Sequence, residues 1–195
     1  MLNGESVWTS RKRSTVRRLS LLSAFAFCLS CGSDNPASPT PPEGPGAISS
    51  DAALFTLVTQ TEPFGSYALF PNLAGDASGV LNGSSSAHEP RIRVRLNARA
   101  LAPLQNGRLP LGTTFPDGSV IFKEVMTNSG VTNLYTVMYK DRGSSFTGND
   151  WLWAEYSPAG GTVYSITNRG GACTGCHSRD QGPQNDLVRS FERQQ

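Results

Sequence analysis

Histidine and cysteine are both scarce in this 195-residue chain, which holds two of the first (His88, His177) and four of the second (Cys28, Cys31, Cys173, Cys176). A structural zinc site takes four ligands, usually Cys or His, and the chain has no second C-x-x-C and no close histidine pair to supply them. Internal repeats are absent as well, which removes solenoid architectures. No apolar run reaches the ~20 residues that span a bilayer as a helix. The longest, over residues 19–29, is short even for that purpose. An excess of one charge is also missing from most of the chain. Residues 1–30 contain five of the 17 basic and one of the 15 acidic residues, so residues 31–195 carry 12 basic against 14 acidic, a net of −2. The nominal basic character belongs to the N-terminus, and nothing in the remainder points to nucleic-acid binding.

The cysteines that are present are placed to be used. Cys173-Thr174-Gly175-Cys176-His177 is a C-x-x-C-H pentad, the spacing at which two thiols bond one edge of a c-type haem while the adjacent imidazole ligates its iron. A thioredoxin-like dithiol would stand close after an early strand in a βαβ pattern. This pentad instead lies near the C-terminus, behind Asn168-Arg169-Gly170-Gly171. A redox dithiol and a fortuitous spacing remain the alternatives. The preferred reading is one covalent haem c, held by Cys173 and Cys176, with His177 as the iron ligand.

The N-terminus reads as an export signal over residues 1–30. Arg11, Lys12, Arg13, Arg17 and Arg18 form a basic region ahead of the apolar 19–29 run, which has the length of a signal core and not of an anchor. Cys28-Leu29-Ser30-Cys31-Gly32 resembles a bacterial lipoprotein cleavage box, with Cys28 where leucine is usual. That resemblance implies lipidation of Cys31 and a periplasmic protein anchored to a membrane; the alternative is a soluble periplasmic protein cut nearby. Residues 31–48 are rich in Pro, Ser and Gly and suit a tether. On this accounting Cys28 leaves with the signal and no thiol is left for a disulfide. Attachment of c-type haem outside the bacterial cytoplasm agrees with export.

Residues 49–195 are enough for one domain with a core of its own. Ser49-Ser50-Asp51 is a helix start, and Leu54, Phe55, Leu57 and Val58 follow at helical spacing before Pro63 ends the run. Frequent Gly, Ser and Pro over 67–86 predict irregular structure, and a second short helix is expected near 97–104. Ile92, Val94 and Leu96 alternate with Arg91, Arg93 and Arg95, a half-buried strand with a basic outer face. Further strands are expected at 119–126 (apolar on both faces), 134–140, 151–156 and 162–166, joined by short Gly-containing turns. The fold class is therefore α+β: a predominantly antiparallel β sheet with a few short helices, not the all-helical cytochrome c fold.

The block Phe115-Pro116-Asp117-Gly118-Ser119-Val120-Ile121-Phe122-Lys123-Glu124 resembles a motif of the cytochrome P-460 family. So does Trp151-Leu152-Trp153-Ala154-Glu155-Tyr156, followed at matching distance by the pentad. Residues 88–98 and Asp186-Leu187-Val188 are similar to its entering strand and C-terminal segment. The resemblance covers about residues 50–192. It implies a mainly antiparallel β fold with one c-type haem, a proximal histidine and often no strong protein ligand opposite. Relatives include hydroxylamine-oxidising enzymes and the gas-binding cytochromes c′-beta. In the oxidising enzymes a lysine is also bonded to the porphyrin, and Lys123 stands where the resemblance places it. The plain reading of Lys123 is a strand lysine that snorkels or pairs with an acid.

Other candidates are weighed on position alone. Glu155 shares a strand face with Trp151 and Trp153 and is a candidate proton acceptor once desolvated; its alternative is an arginine-paired or solvated strand-end acid. His88 is read first as a surface or turn histidine and second as an iron ligand. Met126 and Met138 are expected in the core, Trp151 and Trp153 in the core or beside the cofactor. Arg142 and Arg169 are candidates to meet propionates. Three functions are compatible: an electron carrier with two protein ligands, a small-gas binder, and an oxidoreductase acting on hydroxylamine-like nitrogen compounds. The expected partners are a small redox or gaseous ligand and a periplasmic electron donor or acceptor, with redox or ligand chemistry at an open distal site preferred.

Overall fold

The computed structural model describes residues 47–73, 80–82 and 88–194. The export signal, Cys31 and all but the end of the 31–48 tether lie outside the described residues. Ile48, assigned to the tether from its neighbours, is buried in the core, so the domain begins slightly earlier than expected.

Ser50 opens the first helix as its sequence suggests. Its hydroxyl accepts from the Ala53 amide at 3.1 Å, satisfying one of the free N–H groups at the start of α1 (Asp51–Thr56). A π-helical turn, Leu57–Thr61, continues it to Glu62, ahead of Pro63. Two very short strands follow, β1 (Ala68–Leu69) and β2 (Val80–Asn82). They fall in the stretch expected to be irregular; at two and three residues they show no alternation to read. β3 (Arg91–Leu96) buries Ile92, Val94 and Leu96 and leaves its arginines half-exposed. Asn97 then caps α2 (Ala98–Leu101) through its Oδ1, which accepts from both Ala100 N and Val120 N at 3.0 Å. One side chain thus fixes the helix to the next strand, β4 (Val120–Met126). β5 (Thr132–Lys140), β6 (Trp151–Tyr156) and β7 (Thr162–Tyr164) complete the sheet, and α3 (Thr174–His177) follows.

All pairings are antiparallel, in the order β1-β3-β4-β5-β6-β7, with β2 also on β3. The fold class read from sequence holds: an antiparallel sheet with three short α-helices among the described residues. Both faces of the sheet are covered, which is why β4 is apolar on each. Val120, Phe122, Val137, Tyr139, Leu152 and Tyr156 pack on Leu54, Leu57 and Val58 of the N-terminal helix. On the other face Ile92, Val94, Leu96, Ile121, Val125, Met138, Trp151 and Trp153 pack with Leu187, Val188 and Phe191 of the C-terminal segment. Burying either set is worth roughly 1.5–3 kcal/mol per large side chain, before the entropy cost of ordering the chain. Among the described residues no helix is long and apolar enough to cross a membrane.

Candidate cofactor site

Pairing register lays a polar row across the face that meets the C-terminal segment. Lys123 stands opposite Thr136, Thr136 opposite Glu155, and Glu155 opposite Tyr164. Directly paired residues project to the same side, so these four share one face with Ile121, Met138 and Trp153 of the neighbouring row. Lys123 and Glu155 are two strands apart, roughly 9–10 Å along the sheet. No ion pair joins them among the described residues.

The pentad is brought to this face by a tight loop. Gly170 has φ +68°, and a Cβ there would stand 2.5 Å from the Trp153 ring, so a side chain would push the loop off the sheet. Trp153 is itself fixed by its indole N–H, which donates to Gly148 O at 2.9 Å. Cys173 and Thr174 then turn back on the Gly170 carbonyl, each at 2.8 Å, and α3 starts. Cys173 and Cys176 are free thiols, the first half-buried and the second exposed. Gly182 closes the far side: a Cβ on it would stand within bonding distance of the His177 carbonyl oxygen.

His177 is oriented by the backbone. Its Nδ1 lies 2.7 Å from Leu187 O; a carbonyl can only accept, so Nδ1 carries the proton and Nε2 keeps its lone pair. The ring also packs edge-on against Trp153, with centroids 4.8 Å apart. Burial pushes the imidazole down to about 4, partly offset by that carbonyl, which keeps it neutral at physiological pH. Histidines that ligate metals are held in the same way, with the second ring N–H donated to a carbonyl or carboxylate.

The Leu187 carbonyl is in turn held by a buried ion pair. Lys140 is wholly buried, and its Nζ lies 2.8 Å from Asp186 Oδ1. Asp186 Oδ2 accepts from Phe115 N at 2.9 Å, and its carbonyl accepts from the Trp151 indole at 3.0 Å. Asp186 and Leu187 are consecutive left-handed residues, φ +50° and +68°, a conformation that non-glycine residues keep only where the surroundings enforce it. Two strand residues, Lys140 and Trp151, and the loop amide of Phe115 therefore fix the kink that presents the acceptor to His177.

These pieces enclose a cavity of about 670 Å³, lined by the polar row, Trp153, both thiols and His177, with Arg189, Arg193, Glu192 and His88. Its size lies within the ~300–1,000 Å³ of cofactor and ligand pockets. Burial dominates its electrostatics. Lys123 is pushed down to about 8, with Arg193 adding to the effect and Glu155 and the two cysteines opposing it. Burial raises Glu155 above the usual carboxylate range, and Lys123 opposes that rise. Burial and the Glu155 charge push Cys173 up to about 11. Arg189 donates to Cys176 Sγ at 3.3 Å while Glu192 holds its guanidinium.

Five sequence-level candidates thus meet in one cavity: Lys123, Glu155, Cys173, Cys176 and His177. Met126 and Met138 are buried, as expected, and Trp153 forms cavity wall. His88, read as a surface or turn histidine, sits at a bend and is half-buried on the cavity wall. Arg142 and Arg169 are not in the cavity. Arg142 instead binds Asp117, Thr114 Oγ1 and Phe115 O, and Arg169 is an exposed helix cap. The arginines that do reach the cavity, 189 and 193, sit on a C-terminal 3₁₀ turn (Arg189–Arg193) with no periodic pattern to mark it.

Among the described residues no group of three or more His, Cys, Asp or Glu is placed to hold a bare metal ion. A haem needs no such group, since its ring supplies four ligands and the protein one or two. Two free thiols, one imidazole with a free Nε2 and a largely apolar wall of cofactor size fit that group. Comparison with protein-family models and with curated proteins found no match to the chain.

Proposed function

We propose that this chain is a c-type haem protein resembling the cytochrome P-460 family, doing redox or small-ligand chemistry at an exchangeable iron position. The observation that carries this reading is the convergence of Cys173, Cys176 and a tautomer-fixed His177 on one cavity. Cys173 and Cys176 would hold the ring through thioethers and His177 Nε2 would ligate the iron. When bound, the haem supplies one-electron redox chemistry and a binding position for NO or hydroxylamine-like molecules.

The remaining work falls to the chain. Trp153 and the apolar row exclude water. Glu155, raised from the ordinary carboxylate value by burial and opposed by Lys123, is the cavity's candidate proton acceptor. Lys123, lowered to about 8, has a substantial neutral fraction and can serve as a hydrogen-bond donor or a nucleophilic amine. A porphyrin bond to Lys123 is the stronger form of this reading. Denatured haem spectra of wild type and Lys123→Arg decide it, because indistinguishable ordinary c-haem spectra would exclude the bond. Export and lipidation at Cys31 complete the proposal, placing the domain in the periplasm on a membrane anchor beside an electron donor or acceptor. Loss of membrane association in Cys31→Ser tests this part.

The main test is co-expression with a haem-attachment system, followed by intact mass and by optical spectra of the ferric and ferrous protein with and without NO. The expected result is one covalent haem and a ready change on NO addition. A properly matured preparation with no haem mass would overturn the proposal.

A further inference from the structure

We infer that Thr136 is a positioning residue that links Lys123 to Glu155 across the sheet, its hydroxyl passing a proton between the amine and the carboxyl group through cavity water. The inference deepens the proposed site by giving its candidate proton acceptor a path. It rests on the haem reading only for the reaction that path serves; the linkage itself is a property of the chain.

Strand register sets the spacing. Thr136 on β5 stands directly opposite Lys123 on β4 and directly opposite Glu155 on β6. Paired Cβ atoms on neighbouring strands lie about 5 Å apart, so the hydroxyl sits midway between two groups that form no ion pair with each other. All three side chains line the cavity. Among the described residues none of them makes a hydrogen bond or an ion pair, and none has its polar atoms shut away from water. The other hydroxyl of the row is already engaged, since Tyr164 accepts from Ala172 N at 3.1 Å. A lysine ammonium only donates and a carboxylate only accepts, whereas a threonine hydroxyl has one proton to give and two lone pairs to receive with. Thr136 is therefore the group in this row that takes a hydrogen bond from one side while giving one to the other. Polar groups a little beyond hydrogen-bond distance are joined by one water at small cost, and the cavity, at about 670 Å³, has the room and the polar partners that a water needs.

One proton moved along this row turns the Lys123 ammonium and the Glu155 carboxylate into an amine and a carboxylic acid. Net charge is unchanged and no electron moves. Burial lowers Lys123 to about 8 and raises Glu155, which brings the two arrangements closer in free energy. Other titratable groups also face Lys123: Cys173, Cys176 and His177 from the pentad, His88 from the bend before β3, and Arg193 from the C-terminal turn. Glu192 on that turn is held by Arg189. Of all these, Glu155 alone is joined to Lys123 by a residue paired with both.

The experiment follows carbamoylation of Lys123 by cyanate against pH in the full chain matured with haem, read as peptide mass, because only the neutral amine reacts. Wild type, Thr136→Val, Thr136→Ser, Glu155→Gln and the double variant Thr136→Val with Glu155→Gln are compared. Valine keeps the shape of threonine without its hydroxyl. Loss of the hydrogen bond that supports the ammonium corresponds to about a tenfold shift toward the amine in Thr136→Val, a midpoint lower by about one pH unit. Thr136→Ser restores the wild-type midpoint, which a packing role of the threonine methyl would not produce. The shifts of Thr136→Val and Glu155→Gln combine to less than their sum, since both break one path. An unchanged midpoint in Thr136→Val, or full additivity in the double variant, would overturn the inference. So would a Lys123 bonded to the porphyrin, which leaves no free amine to exchange protons. Absence of covalent haem from every preparation would overturn the haem reading instead, and the Lys123 titration in those preparations would still decide the linkage.

Discussion

Removing Asp186 should cost more stability than removing any exposed charge. In Asp186→Ala the Lys140 ammonium, with no solvent exposure, loses its partner at 2.8 Å. Its remaining carboxylate, Asp150 at 3.8 Å, is itself more than half exposed and a weak replacement. The Phe115 amide loses its acceptor at the same time. Leaving a buried charge unpaired typically costs about 3–5 kcal/mol, and an unsatisfied buried N–H adds about 1–3 kcal/mol. The two overlap, since water drawn to one site serves the other, so about 4 kcal/mol is expected. In a domain of this size that corresponds to a fall in Tm of roughly 8–16 °C. Urea unfolding followed by circular dichroism, with wild type and variant at equal m-value, gives the difference directly. The same variant should loosen the Leu187 carbonyl and leave His177 in mixed tautomers, visible as a second imidazole resonance in nitrogen-edited NMR. A loss below about 1 kcal/mol would refute the reasoning, because exposed pairs cost that little. Replacing both partners, Lys140→Met with Asp186→Leu, should recover most of the stability.

Gly170→Ala forces a Cβ to within 2.5 Å of the Trp153 ring at a left-handed position; we expect a loss of about 1–3 kcal/mol in thermal unfolding and a lower yield of covalent haem. Cys173→Ser and Cys176→Ser should each retain one thioether and the double variant none, read as haem mass after acid–acetone extraction. For Lys123 the folded value of about 8 lies below that of an unfolded lysine, so the unfolded chain binds more protons between about pH 8 and 10.5. Stability should therefore rise with pH across that window, and Lys123→Met should flatten the rise; denaturant midpoints at pH 7, 9 and 10.5 measure it. Cyanate at pH 8 should carbamoylate Lys123 well ahead of Lys140, whose ammonium is wholly buried in an ion pair.

The strands of the central sheet were legible because each carries its own signal. Ile92, Val94 and Leu96 alternate strictly with arginines, and Trp151–Tyr156 matches the observed strand to the residue. The pentad stood out because its Cys-x-x-Cys-His spacing is local, and the structure brings its two cysteines and histidine to one cavity. Lys123 and Glu155 stood out as ionisable residues on otherwise apolar faces, and pairing through Thr136 explains why they reach one cavity. The C-terminal wall was opaque. It is held by left-handed residues and 3₁₀ turns, and these leave no repeat in the sequence. Asp186 meets partners 35, 46 and 71 residues away, a relationship no local window contains. His88 follows a serine-rich run that reads as surface, and only its neighbours in space make it part of the wall.

The kink at Asp186 and Leu187 also separates two events in time. On the haem reading proposed above, the thiols need only their own local spacing, so the ring could be attached while the chain is still extended. The acceptor that points the His177 imidazole exists only after Phe115, Lys140 and Trp151 have come together from distant parts of the chain, and contacts of such separation form late. On that reading capture would precede folding, whereas the orientation of the His177 ring is a product of folding. A destabilised variant of this domain would be expected to accumulate as a coloured but wrongly coordinated species before it accumulates as an empty one.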